Sequence, residues 1–307
     1  MENYKNLQDI TLISATSVDI EQAANALLIS SERCQFSSIK LLSPKKPSIL
    51  NSSIEHVSIP PMDLMGYSKF MLQDLYKFVD TKFCLVIQSD GFVINPNLWT
   101  NQFLEYDYIG APWPNEISVY NASINKIDLK KNRVGNGGFS LRSKRLLEVC
   151  SHIKFDELDF PIKSEDIVIC HYLYQDMLEA GIKFAPFNLA RKFSVEIPIS
   201  SQDNDLSLSF GFHGKHWLSN HYLEKIANLS AHSQEFLSLL PKKNTDRLTY
   251  DQTRIGRLQP CPCGSAMRFK DCHGKLTWPA GWRTTRLDLN AKRNSAWDPL
   301  LQSHFLI

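Results

Sequence analysis

KFCLVIQSDGFVIN, residues 82–95, holds an unbroken apolar run from Phe83 to Ile87 that stops at Gln88, Ser89 and Asp90. A continuous run of β-type residues, rather than an alternating one, predicts a strand buried on both faces, as in the parallel sheets of α/β proteins. A bare carboxylate inside such a core costs several kcal/mol, so Asp90 is expected to emerge at the strand's carboxyl end. Open α/β sheets bind ligands along that edge, and Gly91 lets the backbone come close to whatever the acid holds. Asp90 is therefore a candidate ligand for a divalent cation and, through it, for a nucleotide diphosphate. The alternative is an ordinary strand-to-turn aspartate.

Working outward towards the amino end, residues 10–15 (ITLISA) predict a strand and residues 20–34 a helix. Asp19 is the candidate cap, and Ile20, Ala23, Ala24, Leu27 and Leu28 form one apolar face. Residues 38–42 and 54–59 predict two more short strands, bounded by Pro44, Pro47, Pro60 and Pro61. Residues 67–79 carry the helical spacing Phe70, Leu72, Leu75, Tyr76, Val79. Strand and helix thus alternate up to Asp90, a layout that suits a nucleotide-binding half-domain but is shared by folds of unrelated function.

Towards the carboxyl end, residues 99–108 predict a short helix and IGAPWP (109–114) a rigid turn. Residues 115–133 are polar, either a mobile loop over a site or a plain surface excursion. VGNGGFSLRS (134–143) predicts a tight turn feeding a strand and then a helix. Gly137 and Gly138 there either shape the turn or let a sugar or acceptor lie against bare backbone. Residues 163–180 predict a helix capped by Ser164 with Glu165 and Asp166 in its first turn. Those acids either complement the helix dipole or, facing a cleft, take a proton from an acceptor hydroxyl. Residues 208–214 predict an alternating strand ending at His213, flanked by Gly211 and Gly214.

Composition sets the class. Hydrophobic content of 43% and charged content of 21% over 307 residues are those of a globular protein with a substantial core. The amino end lacks the basic start and apolar run of a signal peptide, and no apolar stretch approaches ~18 residues. A cytoplasmic protein without a transmembrane segment is expected, and Cys34, Cys84, Cys150 and Cys170 read as reduced core thiols. Charge is uneven: residues 242–307 hold 12 Lys+Arg against 5 Asp+Glu, while residues 1–241 hold 22 against 27. We therefore expect an α/β domain over residues 1–240 and a basic tail over residues 241–307.

The order QSDGF, YDYIGAPW, GNGGFSLRS, an ED pair at a helix start and FGFHG resembles a GT-A-fold glycosyltransferase, and in particular an uncharacterised bacterial family sharing these motifs. The resemblance spans residues 8–217 and implies a Rossmann-like mixed sheet flanked by helices, a nucleotide-sugar donor (a UDP-sugar favoured) and an acceptor of unknown identity. Carried over by position, it implies that Asp90 and His213 bind Mn²⁺ or Mg²⁺. Gln88, Ser89, Asp90, Gly137, Gly138 and Trp113 would contact the donor. Asp166, with Glu165 as its neighbour, would be the catalytic base of an inverting transfer. Gln88 stands where that family's metal motif has its first acid, which weakens metal binding. It also favours the alternative of a catalytically degenerate binding protein.

The tail carries its own signal. In PCPCGSAMRFKDCHG (260–274), Cys261, Cys263, Cys272 and His273 supply three thiolates and an imidazole, a full tetrahedral set for structural Zn²⁺. Residues 258–275 resemble the SEC-C motif. Four protein ligands leave no open position, so this zinc is expected to be structural. Arg254, Arg257, Arg268, Lys270 and Lys275 read as a solvated face, with docking of a protein or RNA partner as the alternative.

Overall fold

The computed structural model describes residues 4–48, 51–118, 126–129, 133–199 and 206–218. By its internal packing the chain divides into two units, Met1–Leu240 with Leu300–Ile307, and Pro241–Pro299. The described residues all lie in the first.

The first half runs β1 (Lys5–Ala15), α1 (Ile20–Ser31), β2 (Cys34–Ser43), β3 (Glu55–Ser58), α2 (Leu64–Gln73) and β4 (Phe83–Ile87). Next come β5 (Tyr108–Ile109), β6 (Glu116–Ser118), β7 (Lys126–Asp128), β8 (Phe139–Ser143) and α3 (Lys144–Ser151). The remainder is α4 (Glu165–Ile167), α5 (Tyr174–Glu179), α6 (Phe187–Phe193), β9 (Ser194–Val195) and β10 (Gly211–Phe212).

Six strands form one sheet in the order β3-β2-β1-β4-β8-β5. β1, β2, β3 and β4 pair in parallel, and β8 runs antiparallel between β4 and β5. This is the mixed α/β sheet flanked by helices that the GT-A resemblance implies. β4 shows why an unbroken apolar run was needed: Leu85 and Ile87 face the layer containing Leu12, Ala24 and Leu27, while Cys84 and Val86 face the layer of Ile13, Met71 and Leu75. Each such buried aliphatic side chain contributes about 1.5–3 kcal/mol. Burial holds the Cys84 and Cys150 thiols up at about 12, so both are protonated core residues.

Several local expectations are corrected. The helix at residues 67–79 starts earlier, because Asp63 Oδ1 caps Gly66 N at 2.7 Å, and it tightens into a 3₁₀ turn at Leu75–Phe78. Residues 99–108 form only a 3₁₀ turn, Asn101–Glu105, since Asp107 leaves to bind Ser143 Oγ and Lys183 N. The helix at residues 163–180 is broken: π-helical Val168–Tyr172 separates α4 from α5, and the Ser164 side chain caps nothing. Single-turn π segments are frequent at functional sites. The strand at residues 208–214 shrinks to β10: Leu208 is exposed while Ser209, Phe210, Phe212 and His213 are all buried, so burial does not alternate along it. Phe210 packs on Trp99, Phe139 and Phe193. In the polar excursion, β6 pairs with β7 and buries Ile117 and Ile127.

Candidate functional site

The chain leaves β1 towards β2 and β3 on one side and returns to β4 on the other, so the crossovers diverge between β1 and β4. Such a switch point opens a crevice at the carboxyl ends of the strands. The structure has a cavity of about 110 Å³ there. Residues 15–19 beyond β1 and Gln88, Ser89 and Asp90 beyond β4 line it, with Asp63, Tyr67, His213 and Lys215 closing the sides. Typical small-molecule pockets are ~300–1,000 Å³, so a ligand larger than a diphosphate would extend along the rim, where Val18 and Leu64 expose apolar surface.

At the base of the cleft four side chains orient one imidazole. Gln88 donates its Nε2 hydrogen to Tyr67 Oη at 3.0 Å, which fixes the amide and turns Oε1 towards His213 Nε2 at 2.9 Å. Asp90 Oδ1 lies 3.2 Å from the same nitrogen, and Glu196 Oε1 lies 3.1 Å from Nδ1. Burial alone would push the imidazole down, but Asp90 and Glu196 together raise it to about 10. Burial likewise pushes Asp90 up, and the imidazolium outweighs it, holding the carboxyl below its ordinary value. The backbone is pinned as well: Gly214 N donates to Asp90 O at 3.0 Å and Gly91 N to Gln88 O at 3.2 Å.

These groups also suit a hard cation. Among the described residues no three His, Cys, Asp or Glu are grouped to hold a metal. A cation here would rest on Asp90, His213 and the Gln88 amide oxygen. Gln88 Oε1 and Asp90 Oδ1 lie 2.9 and 3.2 Å from His213 Nε2. A carboxylate on Nδ1 is the usual outer partner of a metal-bound histidine. One carboxylate plus substrate phosphates is a common arrangement for Mg²⁺. The donor set therefore fits, provided that Nε2 releases its proton to solvent and offers its lone pair to the ion.

Beside this cluster runs the glycine turn. Asn136 sits in the left-handed region at φ 63° and its Oδ1 accepts from Gly138 N at 2.8 Å. A Cβ on Gly138 would lie 2.2 Å from His213 Nε2, and one on Gly137 would lie 1.9 Å from Glu165 Oε1. Both glycines are thus required by the protein's own side chains, which is the turn-shaping reading of the two. Glu165 is buried and paired at 3.0 Å with Arg142, a guanidinium with no exposed surface. Asp166 is half-buried and accepts from Gly137 N at 3.1 Å and Ile167 N at 2.8 Å. Burial, with Glu165 and Glu196 nearby, outweighs those donors and raises its carboxyl to about 7.

The expected residues are thus brought together in part. Gln88, Ser89, Asp90 and His213 share the cleft. Asp166 lies outside its lining, joined to it through Gly137 and Gly138. Trp113 does not line it: the indole is buried and fills the space a Cβ on Gly135 would need. Glu196, Tyr67, Arg142 and Lys215 belong to the site without having been singled out. Arg142 lay inside the GNGGFSLRS run and Lys215 two residues past His213, while Glu196 and Tyr67 carried no local signal. The expected zinc ligands of the tail, Cys261, Cys263, Cys272 and His273, lie outside the described residues.

Comparison with known proteins adds the following. The SEC-C motif model matches residues 259–275. The chain is similar to Protein translocase subunit SecA of Coxiella burnetii, 34% identical over 65 residues, which is 18% of this chain and 7% of that protein. It is also similar to SecA of Xanthomonas campestris pv. campestris, 48% identical over 31 residues, 10% of this chain and 3% of that protein. The chain therefore spans only a small fraction of these relatives. Among solved structures, the apo-form glycosyltransferase GlyE of Streptococcus pneumoniae TIGR4 matches with a TM-score of 0.41 and 15% identity over 74% of this chain and 63% of that one. A glycosyltransferase involved in glycosylation of the major capsid of PBCV-1 matches at 0.37 and 14% over 75% and 99%. The model of one family covers residues 56–213, just over half of the chain and all of the cluster from Gln88 to His213. The chain belongs to that family, described as protein of unknown function (DUF5672).

Proposed function

We propose that the chain is a glycosyltransferase that moves a sugar from a nucleotide-sugar, with a UDP-sugar favoured, to an acceptor hydroxyl with inversion at the anomeric carbon. The observation that carries this reading is the cluster of Gln88, Asp90 and His213 at the sheet's switch point, with a half-buried carboxyl of raised affinity for protons, Asp166, next to it across one glycine turn. Asp90, His213 and the Gln88 amide oxygen would hold Mn²⁺ or Mg²⁺, whose chemistry there is to offset the charge of the diphosphate. Glu196 holds the imidazole from behind, and Tyr67 fixes the amide. Asp166 takes the proton of the acceptor hydroxyl as it attacks, and a carboxyl near pH 7 is well matched to that task. Glu165 is committed to Arg142 and positions the turn instead of acting as base.

The test is a thermal-shift panel of UDP, GDP and CDP with Mn²⁺ and with a mild chelator. A nucleotide at about 100 times its dissociation constant adds about 2.7 kcal/mol to stability. The expected result is a metal-dependent shift by one nucleotide that Asp90→Ala removes. A second reading, a degenerate binding protein whose tail recruits a protein or RNA partner, is favoured by the amide at Gln88 and by an imidazole already bonded to both metal-facing oxygens. A shift that is equal with chelator and with Mn²⁺ would support it.

For the tail, we propose a domain over residues 241–307 in which Cys261, Cys263, Cys272 and His273 bind one structural zinc and the basic residues form a solvated face, with docking of a protein or RNA partner as the alternative. Purified protein is expected to carry one zinc per chain and Cys272→Ser to lose it, as read by elemental analysis. Retention of full zinc by that variant would reject the ligand set. No helix among the described residues is long and apolar enough to cross a membrane.

A further inference from the structure

We propose that Lys215 is the cation that receives the donor's diphosphate, and that Asp19 is an internal carboxylate competing for it. The proposal rests on the nucleotide-sugar reading of the same cleft. Five ionisable side chains line the cavity besides Tyr67: Asp19, Asp63, Asp90, His213 and Lys215. A dianionic or trianionic ligand entering among three carboxylates needs positive charge that can turn to meet it. The His213 imidazole is already fixed by Gln88, Asp90 and Glu196. Lys215 is differently held. Its Nζ lies 3.5 Å from Asp19 Oδ2, and the two side chains are 38% and 43% exposed. A pair so exposed is weak and exchanges at little cost.

Asp19 is also placed oddly for any other task. It occupies the N-cap position of α1, where aspartate ordinarily accepts from the first turn, yet its side chain makes no cap hydrogen bond and its backbone is left-handed at φ 50°. Left-handed backbone in a residue other than glycine persists where the surroundings hold it. That conformation sends the carboxylate to a lysine 196 positions away in the chain, which also lines the cavity. Asp63, by contrast, does cap its helix, through Gly66 N. A diphosphate arriving beside Asp90 and reaching for Lys215 competes with Asp19 for it. Asp19 thereby sets a threshold that the more highly charged ligand passes and a monophosphate passes less well.

The experiment is calorimetric titration, with Mn²⁺, of wild type, Lys215→Ala, Lys215→Arg and Asp19→Asn with UDP, GDP and CDP and with the matching monophosphates. For the nucleotide that binds wild type, Lys215→Ala is expected to weaken the diphosphate about tenfold or more, the worth of a charge-assisted hydrogen bond, and the monophosphate far less. Lys215→Arg keeps most of the diphosphate preference, and Asp19→Asn tightens the diphosphate a few-fold. Equal weakening of both nucleotides in Lys215→Ala, or none, overturns the proposal while leaving the donor reading standing. If no nucleotide binds wild type, the donor reading itself falls and this inference with it.

Discussion

Asp166→Asn is expected to lower the rate of sugar transfer by about 10²–10⁴-fold, the usual contribution of a positioned base, with nucleoside diphosphate affinity close to that of wild type. Asp166 touches the glycine turn and not the cleft lining, so a loss of donor binding in this variant would assign it to binding instead of proton transfer. The wild-type rate should fall as pH drops below about 7, because the carboxyl is raised to about that value and must be ionised to act. The same shift has a stability consequence of definite sign. The folded protein binds this proton more tightly than the unfolded chain, whose aspartates titrate near ~3.9. Stability from the group is therefore full at low pH and lost as pH rises through about 7. The melting temperature of Asp166→Asn relative to wild type should accordingly rise between pH 5 and pH 8. A pH-independent difference would contradict the raised carboxyl.

Arg142→Ala is expected to cost about 3–5 kcal/mol of unfolding free energy, since it strands Glu165 as a buried, unpaired charge. The guanidinium bonds Glu165 Oε1 at 3.0 Å, Ser140 Oγ at 3.0 Å and Gly137 O at 3.4 Å, so it holds strand β8, the glycine turn and the start of α4 at one point. Tyr67 and Tyr108 are buried nearby, and burial keeps both phenols protonated and neutral. Burial works against the guanidinium's charge, while the face of the Tyr108 ring, 5.6 Å away, and the Glu165 carboxylate favour it. Denaturant titration measures the loss. Removing both charges as Arg142→Met with Glu165→Leu should recover much of the stability, because a buried pair is worth little against an apolar replacement. Transfer activity should remain low in the double variant, since the glycine turn that hydrogen-bonds Asp166 loses its anchor. Full stability in Arg142→Ala would show that the pair is not structurally important.

How the fold was legible follows from local physics. The unbroken apolar run at Phe83 to Ile87 needed only burial on two faces to be read as a central strand, and the alternation of strand and helix before it followed from spacing and proline. Asp90 was legible because a carboxylate after such a strand has one affordable direction, outward at the sheet's edge. His213 was legible as a residue between glycines but not as a neighbour of Asp90, which lies 123 positions earlier. Its strand was misread because the alternation of residue types does not carry over into burial: Leu208 is exposed, Ser209 and His213 are buried, and Phe210 joins an aromatic cluster assembled from distant segments.

What the amino-acid sequence determined by itself was therefore the α/β layout, the strand-ending acid, the neighbouring ED pair and the cysteine spacing of the tail, because each depends on residues within one turn or strand of one another. Only the tertiary structure decided which acid is consumed in a buried ion pair and which keeps access to solvent. Glu165 and Asp166 are adjacent in the chain and chemically alike. One turns into the core to meet Arg142 of strand β8, and the other turns to the glycine turn and keeps partial access to solvent. Glu196 behind the imidazole, Tyr67 behind Gln88 and Asp19 against Lys215 are likewise long-range pairings. Each depends on where the sheet order places two chain segments, a quantity that no local pattern encodes.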